Sequence, residues 1–136
     1  MSDRKYNKLT PEIVDALKAI VGEKYVIYDD EEKLEPFSHD ETPDKRYARM
    51  PEAAIRPRTA EEISQIMKLA NRELIPVTPR GAGSGLSGGA VPLHGGIVLV
   101  VDRMNEILEI DKENMMITME PGVVANDINE AVREYN

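Results

Sequence analysis

Pro79-Arg80-Gly81-Ala82-Gly83-Ser84-Gly85-Leu86-Ser87-Gly88-Gly89-Ala90 decides how this chain is read. Five glycines in the nine positions 81–89 remove side chains that would hold a diphosphate off the backbone. They also allow the positive-φ turns that aim successive N–H groups at one point. Ser84 and Ser87 add hydroxyl donors, and Arg80 adds the only formal positive charge of the stretch. No Asp or Glu occurs from Pro79 to Val101, although the chain holds 25 acids in 136 residues. About four would fall in such a window by proportion, so the gap marks a place prepared for an anion.

The flanks of this loop read as strands. Ala53 to Arg56 is an apolar strand stopped by Pro57, and Thr59-Ala60-Glu61-Glu62 is a capping box that opens a helix. Ile63, Ile66, Met67, Ala70 and Leu74 recur at helical spacing, which predicts one buried face. Leu74 to Thr78 returns as a strand and runs into the glycines, and Ile97 to Val101 follows them as a second buried strand. The texture then turns from α/β to antiparallel. Residues 107–111 and 116–120 predict a hairpin turning at Lys112-Glu113-Asn114, ended by Pro121-Gly122. Residues 124–135 predict a helix with Ile128, Ala131, Val132 and Tyr135 on one face. Alternation along the second hairpin strand predicts that Met115, Met116 and Met119 pack into a core.

Upstream, Thr10 as N-cap and Pro11 at N1 start a helix over 11–21 that Gly22 stops. Tyr25 to Tyr28 reads as a short strand, and Asp29-Asp30-Glu31-Glu32-Lys33 as a solvated loop without cation-ligand spacing. Residues 34–52 hold three prolines and little periodicity, an irregular arm. The division expected is therefore 1–50 as N-terminal helix and arm, and 51–136 as the domain proper. His39 and His94 are the only histidines, and both read as surface residues.

Bulk properties exclude several classes. A net charge of −8 with no basic cluster disfavours nucleic acid and anionic membrane as main partners. The absence of cysteine excludes a thiol nucleophile or an iron–sulfur site built by this chain alone. The longest unbroken aliphatic run, Ile97 to Val101, is too short to span a bilayer. A small-molecule ligand and a cytoplasmic setting are the expectation, and no metal site is expected.

Gly83-Ser84-Gly85-Leu86-Ser87-Gly88 satisfies the dinucleotide pattern G-x-G-x-x-G, but Gly89, Pro92, Gly95 and Gly96 forbid the helix whose N-terminus that fold uses. No Lys-Ser or Lys-Thr follows, so it is not a Walker A loop. What remains is a long loop that would hold phosphates by backbone N–H groups without a helix dipole. In that form, with Pro92 and Gly95-Gly96-Ile97-Val98-Leu99, it resembles the FAD-binding domain of the vanillyl-alcohol-oxidase (PCMH-type) flavoproteins. Within them it is most similar to the FAD subunit of glycolate oxidase and to D-lactate and D-2-hydroxyacid dehydrogenases. Phe37-Ser38-His39-Asp40-Glu41-Thr42, Glu52-Ala53-Ala54-Ile55-Arg56-Pro57, Arg103-Met104-Asn105-Glu106-Ile107 and Glu120-Pro121-Gly122-Val123 add to the likeness.

The resemblance implies an α+β fold, in which a small β-α-β subdomain with flanking helices precedes an antiparallel meander. It implies that Pro79 to Gly88 wrap the FAD pyrophosphate, mostly through backbone, and that Glu120, Pro121 and Gly122 pass near the adenine-ribose end. Some relatives attach FAD through a His of this loop; Ser84 stands there, so non-covalent FAD is implied. The implied parent activity is oxidation of a 2-hydroxy acid, of glycolate or D-lactate type, to the 2-oxo acid. Electrons would then pass to another acceptor, such as an iron–sulfur partner subunit. Family members are several times longer and carry their catalytic residues further on. No catalytic residue is therefore assigned, and the chain is expected to be an N-terminal fragment that does not turn over substrate alone. The alternatives are a non-catalytic nucleotide- or phosphate-binding module, and a different enzyme on the same fold, such as a peptidoglycan-precursor enolpyruvyl reductase or an ether-lipid synthase.

Overall fold

The structure, a computed structural model, describes residues 5–135. Helix α1 (Pro11–Val21) starts on Thr10, whose hydroxyl accepts the Ile13 N–H, and ends on Gly22 at φ 93°. Its buried stripe is Val14, Leu17 and Val21. A 3-10 turn over Glu23–Tyr25 takes the first residue of the expected strand, so β1 spans Val26–Tyr28. The acidic stretch is not all loop. Asp30 caps a one-turn helix α2 (Glu31–Leu34) by accepting the Lys33 N–H, because this turn lets Leu34 reach the core. The arm beyond it is irregular apart from 3-10 turns at Glu35–Phe37 and Lys45–Tyr47.

Strand β2 (Ala53–Ile55) is followed by α3 (Ala60–Glu73), with Thr59 accepting the Glu62 N–H. The reciprocal half of the expected capping box shifts by one residue: the Glu62 carboxylate accepts from the Arg58 N–H, at 2.6 Å, and not from Thr59. The buried face of α3 is also rotated from expectation. Ile66, Leu69 and Ala70 are buried, whereas Met67 is exposed, and Leu74, also exposed, leaves the helix as its left-handed cap at φ 55°. That cap delays the next strand, so β3 is Val77–Arg80 and β4 is Ile97–Val100.

These strands form one sheet in the order β1-β2-β4-β3, with β1 antiparallel and the other three parallel. Alternation splits its side chains. Ala53, Ile55, Ile97 and Leu99 pack with Leu17, Ile66 and their neighbours from α1 and α3, while Ala54, Val98 and Val100 pack with Leu34 and Phe37. The first 50 residues thus supply an edge strand and part of both cores. Removal from water of a side chain such as Leu17, Ile66 or Ile97, each at 0 % exposure, contributes about 1.5–3 kcal/mol.

A hairpin of β5 (Ile107–Asp111) and β6 (Met116–Met119) forms a separate two-stranded sheet, followed by α4 (Ala125–Val132) and a 3-10 turn over Arg133–Tyr135. Asp111 accepts the Asn114 N–H to fix the turn, and Met115 completes it in the left-handed region. The expectation of core packing for the three methionines fails. Met115, Met116 and Met119 are exposed, and among the described residues the hairpin pairs with no third strand.

Candidate functional site

Parallel strands cannot be joined by a tight turn, and the connection from β3 to its parallel neighbour β4 is the segment 81–96. Such crossovers are usually helical; here glycine makes it a loop. It leaves from the carboxyl end of β3, at the sheet edge where open parallel sheets bind ligands. Ile97 donates to the Pro76 carbonyl at 2.9 Å and Val101 to that of Arg80 at 3.0 Å, so even-numbered residues of β3 face β4. Pro79 therefore presents its missing N–H to the free edge, the one side of a sheet where proline breaks no rung.

The loop is tied down at a few points only. Gly85 accepts the Glu41 N–H at 3.0 Å, and Val91 donates back to Gly88 at 3.2 Å. From Gly81 to Ser87, no backbone N–H and neither serine hydroxyl is hydrogen-bonded to any described residue. Six of those seven residues are exposed, so water holds these donors. A run of free N–H groups on a stretch with no acid nearby in sequence is the chemistry of an anion cradle.

The glycines divide by purpose. Gly83 sits at φ +76°, and a Cβ there would lie 2.0 Å from Nη2 of Arg80. Gly96 sits at φ +68°, with a notional Cβ 2.3 Å from the Pro76 carbonyl oxygen. These two are required by the fold. Gly81 and Gly89 have neither a positive φ nor any atom within 4 Å of a notional Cβ. Nothing inside the described structure asks them to be glycine.

Arg80 has a different place from the one its sequence position suggests. Its guanidinium turns inward, donating to the carbonyls of His39 at 2.7 Å and Pro36 at 3.0 Å, and lies over the Phe37 ring. Burial pushes its pKa down and the nearby Asp40 charge pulls it up; it stays charged. Arg80 therefore joins the loop to the arm, and the free donors of Gly81–Ser87 are backbone N–H groups and the two serine hydroxyls. His39 makes its own contacts beneath: Nδ1 lies 3.1 Å from the Ser38 hydroxyl and 3.7 Å from the Glu35 carboxylate. His94 is exposed and packs its ring against Tyr6, centroids 5.2 Å apart.

Between the second half of the loop and the free edge of β3 lies a cavity of about 390 Å³, lined among others by Val77, Pro79, Gly88, Gly89 and His94. A larger cavity of about 550 Å³ lies between hairpin and α4, among Ile110, Met116, Ile117 and Val132, and takes no residue of the loop.

Glu120, Pro121 and Gly122 serve a junction. The Glu120 carboxylate accepts from Arg58 at 3.0 Å and from the Glu106 N–H at 2.9 Å, and Arg58 also pairs with Glu106. The Glu106 N–H, with Arg58 adding, holds the Glu120 carboxyl below its usual range against burial. Gly122 donates to the Met104 carbonyl at 2.7 Å, and a Cβ on it would lie 2.1 Å from the carbonyl oxygen of Val101. The hairpin base is thereby clamped to the turns that leave β2 and β4, at the same carboxyl edge of the sheet as the loop. No hydrogen bond joins 120–122 to 79–88 among the described residues. Sequence reasoning gave no role to Arg58, which holds this junction; its only signal was an arginine after a strand.

Residues 51–136 match the family described as FAD binding domain. This chain belongs to that FAD-binding family. It is 41 % identical over 128 residues to D-lactate dehydrogenase of Anaerostipes hadrus, covering 94 % of this chain and 26 % of that protein. It is 46 % identical over 96 residues to glycolate oxidase subunit GlcD of Bacillus subtilis (strain 168), covering 71 % of this chain and 20 % of the relative. Among solved structures, p-cresol methylhydroxylase with substrate bound matches at TM-score 0.81 and 28 % identity, over 92 % of this chain and 24 % of that one. Alkyldihydroxyacetonephosphate synthase, at TM-score 0.78 and 21 % identity, shares the fold. The FAD-binding chain spans about a quarter or less of the length of these first two relatives, and its α+β architecture is that of the PCMH-type flavoenzymes. FAD is the cofactor of this family, and the free donors of Gly81–Ser87 with the open backbone at Gly81 and Gly89 fit its diphosphate. Among the described residues no helix is long and apolar enough to cross a membrane.

Proposed function

We propose that this chain forms the pyrophosphate-binding part of a flavin-dependent oxidoreductase that converts a 2-hydroxy acid, of glycolate or D-lactate type, to the 2-oxo acid. The observation that carries the reading is the run of unengaged N–H groups from Gly81 to Ser87 on a loop free of acids. Within Pro79 to Gly88, Gly81 to Ser87 hold the diphosphate through backbone donors with Ser84 and Ser87 adding hydroxyls, and Pro79 and Arg80 set the start of the loop; Gly81 and Gly89 leave room for the ligand. Glu120, Pro121 and Gly122 shape the neighbouring rim from which the adenine-ribose end is reached. FAD, when bound, supplies the acceptor for the hydride taken from the hydroxy-acid carbon. Gly81 to Ala90 contain no His, Cys or Tyr to bond a flavin, which supports non-covalent attachment. The functional unit is taken as 51–136, with 1–50 built into its core. The relatives' names support the hydroxy-acid substrate, and the whole enzyme hands its electrons to a further acceptor such as an iron–sulfur subunit, in the cytoplasm.

The test is a calorimetric titration of the folded chain with FAD, ADP and riboflavin, beside circular dichroism. Binding of FAD and ADP without riboflavin is the expected result. A folded chain that binds riboflavin but not ADP refutes the assignment of the loop. ADP binding equal to FAD, with no flavin-dependent oxidation by the full-length enzyme, favours a nucleotide module.

A further inference from the structure

Beneath the glycine loop lies a buried carboxylate that the cradle itself does not use. Asp40 is 2 % exposed; its Oδ1 accepts the Thr42 N–H at 2.9 Å, while Oδ2 is buried without a hydrogen-bond partner. The Thr42 hydroxyl oxygen beside it is likewise buried and unpartnered. Buried polar atoms left in this state are rare and costly, and a carboxylate more so than a hydroxyl. The groups facing Asp40 come from the loop. A notional Cβ on Gly85 lies 3.7 Å from Oδ2, and the adjacent Glu41 N–H donates to the Gly85 carbonyl at 3.0 Å; Thr42 first, and the backbone of Gly88 and Ala90 after it, hold the carboxyl below its usual range against burial. On its other side the buried guanidinium of Arg80 offsets the charge through space.

Arg80, fixed to the Pro36 and His39 carbonyls, anchors the start of the loop, and Asp40 lies against Gly85 further along it. We propose that Asp40 is the positioning residue of the anion cradle: its buried carboxylate, set against Gly85 and next to the Glu41 N–H that holds the Gly85 carbonyl, fixes the middle of the loop and with it the course of the donors of Gly81–Ser87. This inference rests on the reading of Gly81–Ser87 as a diphosphate site. Asp40 does not touch the ligand. A second anion in contact with a diphosphate would repel it, and the loop backbone stands between them.

The probe is ADP, titrated against the full chain and its Asp40→Asn variant, with backbone amide exchange measured on both. The substitution keeps the size of the side chain and removes its charge. Expected is at least a tenfold loss of ADP affinity, with faster exchange at the Glu41 amide, which donates to Gly85, while the amides of Ile97–Val100 keep their protection, a split that simple destabilisation would not give. Wild-type affinity within twofold in D40N overturns the role of Asp40 and leaves the cradle standing. Failure of the wild-type chain to bind ADP overturns the cradle, and the positioning role with it. Should D40N not fold, Asp40→Glu keeps the charge and displaces the carboxylate by one methylene; a loss of ADP affinity in the folded variant supports the proposal, and unchanged affinity overturns it.

Discussion

Gly83→Ala tests whether the loop is built around the buried arginine. The new methyl carbon would stand 2.0 Å from Nη2 and 2.3 Å from Cζ of Arg80, so the guanidinium must leave. Leaving breaks its bonds to the carbonyls of His39 and Pro36. Each charge-assisted bond is worth about 1.5–3 kcal/mol, and at 9 % exposure little water replaces them. Alanine at φ +76° adds about 1 kcal/mol of backbone strain. Taken at the lower end of each range, the substitution costs about 4 kcal/mol, a large part of the roughly 5–15 kcal/mol that holds a domain together. In an Arg80→Ala background the clash is gone and only the backbone strain of about 1 kcal/mol remains. Urea unfolding of the wild type, both single variants and the double variant closes the cycle, with a coupling of about 3 kcal/mol between the two sites. Equal costs of Gly83→Ala in the two backgrounds would refute the reasoning, whatever their size.

Gly81→Ala and Gly89→Ala meet no atom within 4 Å and need no positive φ; both should leave stability unchanged or raise it by about 0.4–1 kcal/mol, yet weaken ADP binding in a titration. Gly96→Ala drives a methyl to 2.3 Å from the Pro76 carbonyl oxygen, the acceptor of the first rung between β3 and β4. A backbone atom cannot swing away, so a loss of about 3 kcal/mol is expected in thermal unfolding. Acid should destabilise the fold through two held carboxylates. Asp40, lowered first by Thr42, and Glu120, lowered first by the Glu106 N–H, release their protons more readily in the folded chain than in the unfolded one. Their contribution is complete above the ordinary carboxylate range near pH ~4 and is lost as pH falls through the depressed folded values. The urea midpoint should hold from pH 7 to about 5 and then drop, less steeply in Asp40→Asn; an identical acid limb in that variant contradicts the assignment for Asp40.

The sequence by itself determined the local elements. Caps and proline placed α1 and the start of α3, apolar runs placed β2 and β4, and the glycines with no acid among them are the ground on which Pro79–Gly88 is proposed as an anion site. Each is a short-range property, written in neighbours along the chain. The sequence could not fix what depends on partners distant along it. The turn of α3 toward Leu69 and away from Met67 follows from what lies against the helix, and the exposure of Met115, Met116 and Met119 is read only from the folded chain. The inward course of Arg80, the burial of Asp40 and the clamp of Arg58 on Glu120 join residues 40 or more positions apart, or bury them beneath such contacts. A charge beside glycines reads as a ligand contact in one dimension. Only the packing of the arm under the loop decided that this charge faces the protein and that the open donors are backbone.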